Sequence, residues 1–261
     1  MTEYEIPSIA GKHLTGRVAL VTGAGVGIGG AIAQSLSLAG AFVGVHFHRS
    51  RDGARETLRA IQSTGGDGRL LWGDLTDVTA CAGIVDELTA ESGQLDILVN
   101  NAGGPVERVR LEDCSIDLWQ HILATNLTSA FAVTQRAIPH LRKSGRGAIV
   151  NNLSLSVQTG GAGGAGAYAI AKGGLEVMTR TLARELAPEV RTNSIMPGVI
   201  ETRHHDVFTT PARMQQYRAE TPLGRNGTAQ EVASVVKFLV SDASQFVNGA
   251  LIDINGGRFL R

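Results

Sequence analysis

The eight residues TGAGVGIG at positions 22–29 constrain this chain more than any other stretch, because of what flanks them. They follow the apolar run RVALVT at residues 17–22 and lead into an apolar-periodic segment over residues 28–38. Strand, glycine-rich turn and helix in that order is the arrangement that holds a dinucleotide pyrophosphate. Gly23 permits a tight turn off the strand, Gly27 lets the main chain approach a phosphate, and Gly29 lets helix and strand pack closely. With Gly25 and Ile28 they form the candidate phosphate-binding set, where the helix start supplies N–H groups and partial positive charge. An ordinary βα turn can share this composition, so the remaining residues must decide.

The pattern continues along the chain. Apolar runs recur as AFVGVHF at 41–47, RLLW around Leu71, LDILVN at 95–100 and GAIVNN at 147–152, with two more at 190–195 and 250–254. Helical patterns over 28–38, 51–61, 80–89, 118–141, 168–186 and 229–239 separate them. Strands alternating with helices long enough to cross over a sheet imply parallel pairing. The expected fold is an α/β, doubly wound, parallel seven-stranded sheet of Rossmann type, as a single domain over residues 1–261. Residues 202–226, rich in Thr, Arg, His and Pro, form the one long stretch without a strand and are expected to act as a substrate lid, mobile without ligand.

Charge excludes several partners. The 24 basic and 24 acidic residues cancel, and no run of like charge suits a nucleic-acid backbone or an anionic bilayer. The first residues, MTEYEIPSIAGKH, have neither the order of a signal peptide nor a spanning stretch, so a soluble cytoplasmic protein is expected. Cys81 and Cys114 lack metal or redox spacing and read as reduced thiols. The pair His204-His205 invites a metal reading, but adjacent side chains point apart and no ligand pattern surrounds them, so no metal is expected.

The second strand ends in FHRS, about twenty residues beyond Gly29, where an acid would accept bonds from an adenosine ribose. No acid stands there. His48, Arg49 and Ser50 offer an imidazole, a guanidinium fork and a hydroxyl, which suit a 2′-phosphate and favour NADP(H) over NAD(H). After the third strand, Asp74 can accept from an adenine amino group with Leu75 beside the ring; alone, Asp74 reads as the cap of the next helix.

Three later motifs, NNAG at 100–103, YAIAK at 168–172 and NSIMPG at 193–198, join the glycine loop in order and spacing. Together they make the chain resemble the short-chain dehydrogenase/reductase family from about residue 17 to 257. The resemblance implies strand order 3-2-1-4-5-6-7, a nicotinamide cofactor and a catalytic Asn, Ser, Tyr and Lys. Tyr168 would be the acid/base and Lys172 its partner. Residues four apart share a helix face, and an ammonium there, with an oxidised nicotinamide, would lower the phenol pKa from about 10. Lys172 would also bond the nicotinamide ribose, and Asn126 would hold a water linking Lys172 to solvent. Asn101, Ala102 and Gly103 would line the cofactor, as would Pro197, Gly198, Val199 and Thr202, the last two at the carboxamide and a phosphate.

The serine is displaced from the family pattern. Thirteen residues before Tyr168 the chain has Leu155; Ser154 lies fourteen before and Ser156 twelve. Ser154 keeps the strand register and needs only a one-residue loop insertion, so it is the expected catalytic hydroxyl. The expected activity is an NADP(H)-dependent hydride transfer between the nicotinamide and a small-molecule carbonyl or secondary alcohol, in a homotetramer by family resemblance. An NAD(H) enzyme and a non-catalytic nicotinamide-binding regulator are the competing readings. The intact Asn126, Tyr168 and Lys172 argue against the regulator.

Overall fold

A computed structural model describes residues 10–202 and 210–260. Its first four strands are β1 (Val18–Val21), β2 (Phe42–Phe47), β3 (Gly68–Trp72) and β4 (Ile97–Asn100). They alternate with helices α1 (Gly27–Leu38), α2 (Arg51–Ser63) and α3 (Val78–Ser92). Helix α4 (Ile116–Leu123) runs through a five-residue π turn, Ala124–Thr128, into α5 (Ser129–Ser144) and then β5 (Gly147–Asn152). A short α6 (Ser156–Thr159), the long α7 (Gly166–Glu185) and β6 (Val190–Pro197) follow. The chain continues through β7 (Ile200–Glu201), α8 (Pro211–Ala219), β8 (Gly227–Thr228), α9 (Ala229–Leu239) and β9 (Leu251–Ile254).

Seven parallel strands run in the order β3-β2-β1-β4-β5-β6-β9, the order that the family resemblance implies. Period-two alternation explains why β1 and residues 97–99 of β4 read as unbroken apolar runs. Ala19, Val21, Ile97, Val99, Ala148 and Val150 point into one core, against Ile32 and Leu36 of α1 and Val232 and Val236 of α9. Val18, Leu20, Leu98 and Ile149 point into the other, against Ile84 and Leu88 of α3 and Val133 and Leu141 of α5. Both faces are covered, so both residue parities must be apolar.

The order reverses between β1 and β4, which pair Ala19 with Ile97 and Val21 with Val99. Crossovers leave this junction in opposite directions and open a crevice beyond the strands' carboxyl ends. β7 and β8 form a separate two-residue parallel ladder that the strand reading did not include. The segment expected as a lid contains α8. Residues 203–209, with Arg203 and the histidine pair, lie outside the described residues. The single helix expected over 118–141 is interrupted by the π turn, which widens the spiral by one residue at Asn126.

Candidate active site

The crevice floor is a lattice of side-chain amides and one hydroxyl. Thr22 Oγ1 accepts from the Asn101 and Ala102 amides at 2.9 and 3.0 Å and donates to the Val99 carbonyl at 3.2 Å. The Asn101 side chain donates to the carbonyls of Thr22 and Gly23 at 2.9 and 3.1 Å, and its Oδ1 accepts from Asn152 at 2.9 Å. The ends of β1, β4 and β5 are thereby fixed to one another through polar groups that burial leaves no other partners.

Gly29 closes the loop onto this lattice. A Cβ there would stand 2.3 Å from the Gly23 carbonyl oxygen and 2.4 Å from Asn101 Nδ2, so only glycine fits. α1 begins at Gly27, one residue before the expected start. Its N-cap residue Val26 makes no side-chain capping bond and its first turn carries no acid. Its first amides therefore remain available to an anion. Thr202 is brought to the same place, its methyl group 3.4 Å from where a Cβ of Gly27 would be. Pro197 ends β6, and Gly198 and Val199 lead from there toward Thr202, with the Gly198 amide donating to Ile254 at 2.9 Å.

The sequence reading missed His46. Buried on β2, it accepts from the Gly23 amide through Nδ1 at 3.0 Å, and its Nε2 lies 3.1 Å from the Gly73 carbonyl. An acceptor role for one nitrogen and a carbonyl beside the other assign a neutral ring with the proton on Nε2. Burial pushes its pKa down to about 4, against a smaller raising effect of the Gly73 bond. An ionisable residue at an inward position of a fully buried strand was the available signal.

At the far end of the crevice, His48 Nε2 lies 3.7 Å from Asp74 Oδ2. Asp74 Oδ1 accepts from the Thr76 amide and hydroxyl at 3.0 and 2.8 Å, and the Thr76 amide is the main reason its carboxyl sits below the usual range, with His48 and Arg49 adding to it. The cap of α3 is Asp77, which accepts from Thr79 at 2.8 Å, so the capping alternative for Asp74 is corrected. Arg49 and Ser50 are exposed at the start of α2, where Ser50 makes no capping bond. A cavity of about 600 Å³ runs from His48, Asp74 and Leu75 past Gly23 and Ala102 to the 103–108 loop and Thr125. The free α1 amides at one side of Gly23 and the basic, hydroxyl-bearing end at His48–Ser50 fit a phosphate-bearing dinucleotide.

The proton-transfer group stands beyond Gly103. The Lys172 ammonium, 2% exposed, donates to the Asn152 carbonyl at 2.7 Å and lies 6.0 Å from the centre of the Tyr168 ring. Burial lowers its pKa to about 8. Asn126, buried in the π turn, accepts from the Gly104 amide at 2.9 Å and donates to the Gly104 carbonyl at 2.9 Å and that of Ile122 at 3.0 Å. Asn126 and Lys172 converge on Gly103: a Cβ there would lie 2.5 Å from Asn126 Oδ1 and 3.3 Å from Lys172 Nζ.

Burial pushes the Tyr168 phenol up, against the lowering effects of its hydrogen bond with Ser154 and the charge of Arg108. The reason is desolvation of the phenolate, which outweighs its neighbours. Ser154 thus meets the tyrosine. Its oxygen also accepts from the Ser156 amide at 3.1 Å and lies 3.2 Å from the Ser156 hydroxyl. Arg108 had no motif to betray it; the loop that carries it is held by the Val109 amide bonding Gly164 at 2.8 Å.

A doubly wound sheet whose switch-point crevice holds a glycine loop and a Ser-Tyr-Lys cluster defines an oxidoreductase of Rossmann type. Residues 23–258 match the family described as enoyl-(acyl carrier protein) reductase. The chain is 36% identical over 251 residues to 3-oxoacyl-[acyl-carrier-protein] reductase FabG of Escherichia coli (strain K12), covering 95% of this chain and 99% of that one. Its backbone matches a putative short-chain alcohol dehydrogenase from Sinorhizobium meliloti 1021 with TM-score 0.89 at 37% identity, covering 95% and 98% of the two chains. It matches a short chain dehydrogenase from Burkholderia cenocepacia J2315 in complex with NADP with TM-score 0.86 at 31% identity, covering 94% and 99%. The chain belongs to the short-chain dehydrogenase/reductase family. Among the described residues, no helix is long and apolar enough to cross a membrane.

Proposed function

We propose that this protein is an NADP(H)-dependent carbonyl reductase, reversible as an alcohol dehydrogenase, with Tyr168 as general acid/base. The observation that carries the reading is the half-buried Tyr168 phenol, in hydrogen-bonding reach of Ser154 and 6.0 Å by ring centre from the Lys172 ammonium. When bound, the cofactor supplies or accepts the hydride. Ser154 holds the substrate oxygen, an interaction that strengthens as negative charge develops there. Tyr168 gives its hydroxyl proton to that oxygen during reduction and takes it back during oxidation. A raised phenol pKa keeps the donor protonated at neutral pH, which suits reduction. Lys172, fixed by Asn152, supplies positive charge opposite the phenolate that remains, and Asn126 holds the Gly104 strap that covers Lys172.

NADP(H) is favoured because Arg49 and Ser50, which follow the end of β2, are exposed and no acid stands at that strand end. The α1 amides and Thr202 take the pyrophosphate, and Asp74 and Leu75 take the adenine. Residues 202–226 close over the substrate. A homotetramer is supported by Phe131 of α5 and Ile170 and Val177 of α7, large apolar side chains about half exposed; sedimentation of the purified protein measures it.

The deciding experiment follows NADPH absorbance with a panel of ketones, sugars, steroids and acyl thioesters. Turnover with one class, abolished in Tyr168→Phe while NADPH still binds, is the expected result. Full NADPH binding with no turnover of any class gives the chain to the regulator reading, and a Tyr168→Phe enzyme of near wild-type rate refutes the assigned proton donor.

A further inference from the structure

Among the described residues, Arg108 is the one guanidinium on the wall of the crevice cavity. Its charge reaches the Tyr168 phenol, and Nη1 lies 3.5 Å from the Gly163 carbonyl, at the limit of a hydrogen bond. It forms no ion pair within 4.0 Å with a carboxylate of the described residues, although Glu107 beside it lines the same cavity. Most of its five donors are therefore unspent. By contrast, Arg110, two residues on, pairs with Glu112.

The Arg108 loop is held in place. Val109 bonds Gly164 at 2.8 Å, and a Cβ at Gly164 would meet the Val109 amide at 2.9 Å, so the 104–109 loop packs directly on the glycine turn that leads into α7 and Tyr168. Within it the Glu107 amide bonds the Pro105 carbonyl at 2.6 Å across Val106, whose φ is +58°. A β-branched residue in that region is strained.

We propose that Arg108 is a specificity-determining residue that selects carbonyl and alcohol substrates bearing a carboxylate. Its planar fork would take the carboxylate in two parallel N–H···O bonds while the reacting oxygen rests on Ser154 and Tyr168. This inference rests on the hydride-transfer reading above, and deepens it by naming the substrate class.

The test compares 4-oxopentanoate and 5-oxohexanoate with their methyl esters, which keep the ketone and remove the charge. With the wild-type enzyme and NADPH, kcat/KM for at least one acid should exceed that of its ester by roughly tenfold or more, the scale of hydrogen bonds to a charged group. Arg108→Met should lower kcat/KM for that acid by roughly 10- to 100-fold, mainly through KM, and by roughly tenfold more than it lowers that of the ester. Arg108→Lys should restore part of the loss. Direct calorimetric binding of the acid to the NADP⁺-loaded protein should weaken in parallel. Equal rates for acids and esters, or equal losses on both in Arg108→Met, overturn the inference while leaving the reductase reading intact. Acid binding that is absent, or that Arg108→Met leaves unchanged, overturns the inference, whereas acid binding that depends on Arg108 with no turnover of any class in the panel above overturns the reductase reading alone.

Discussion

The Gly23 amide donates to His46 Nδ1 at 3.0 Å, so the first glycine of the phosphate loop is anchored by a side chain from the neighbouring strand. The bond exists only while that nitrogen is unprotonated. Loop geometry and ring protonation are therefore coupled.

Acid should weaken the fold through His46. Its folded pKa of about 4 lies below the ordinary 6.5, so the unfolded chain takes the proton first as pH falls. The stabilising effect is complete above pH 6.5 and is lost between 6.5 and 4, by about 3 kcal/mol at most. Urea denaturation at pH 7 and pH 4.5 should show a larger drop in wild type than in His46→Gln; equal drops would refute the assignment.

Lys172 costs stability for the sake of its position. Its pKa of about 8 lies below the ordinary 10.5, so the charge is disfavoured by folding, and stability rises as pH increases from 8 to 10.5. Lys172→Met should remove a penalty of about 3 kcal/mol and lose about 1 kcal/mol for the orphaned Asn152 carbonyl, a net gain of about 2 kcal/mol at pH 7. Near pH 11, where the penalty is gone, the gain should turn into a loss of about 1 kcal/mol, and turnover should be lost. Denaturation midpoints at both pH values check it.

The two serines should separate cleanly. Ser154→Ala is expected to lower kcat by roughly 100-fold or more, the cost of one donor to a developing oxyanion. Ser156→Ala should change it by less than about fivefold. Steady-state kinetics with the best substrate from the panel decide between them.

Arg49→Ala should raise KM for NADPH by roughly 10- to 100-fold and leave KM for NADH nearly unchanged, because the exposed guanidinium meets only the 2′-phosphate. A parallel change with both cofactors would place Arg49 elsewhere.

Gly29→Ala should abolish cofactor binding. The added methyl group must displace the Gly23 carbonyl or Asn101, at a stability cost of about 1–3 kcal/mol, and it breaks the lattice under the pyrophosphate. Retained NADPH affinity by fluorescence titration would contradict the close packing described.

Local sequence determined much of this protein. Strands buried on both faces are largely apolar at both parities, so VALV and the GAIV of residues 147–150 announce themselves, and their alternation with helices implies a parallel sheet, while the strand order rests on the family resemblance. The Tyr168–Lys172 spacing and the glycine loop are properties of one helix and one turn, which short-range geometry fixes. The tertiary structure decided what depends on residues far apart. It set Asn126 in a π turn facing Gly104, seated His46 between Gly23 and Gly73, and brought Arg108 within electrostatic reach of Tyr168. The burial that pushes the Tyr168 phenol up is likewise tertiary, since desolvation depends on everything packed around a group and no single stretch of sequence encodes that sum.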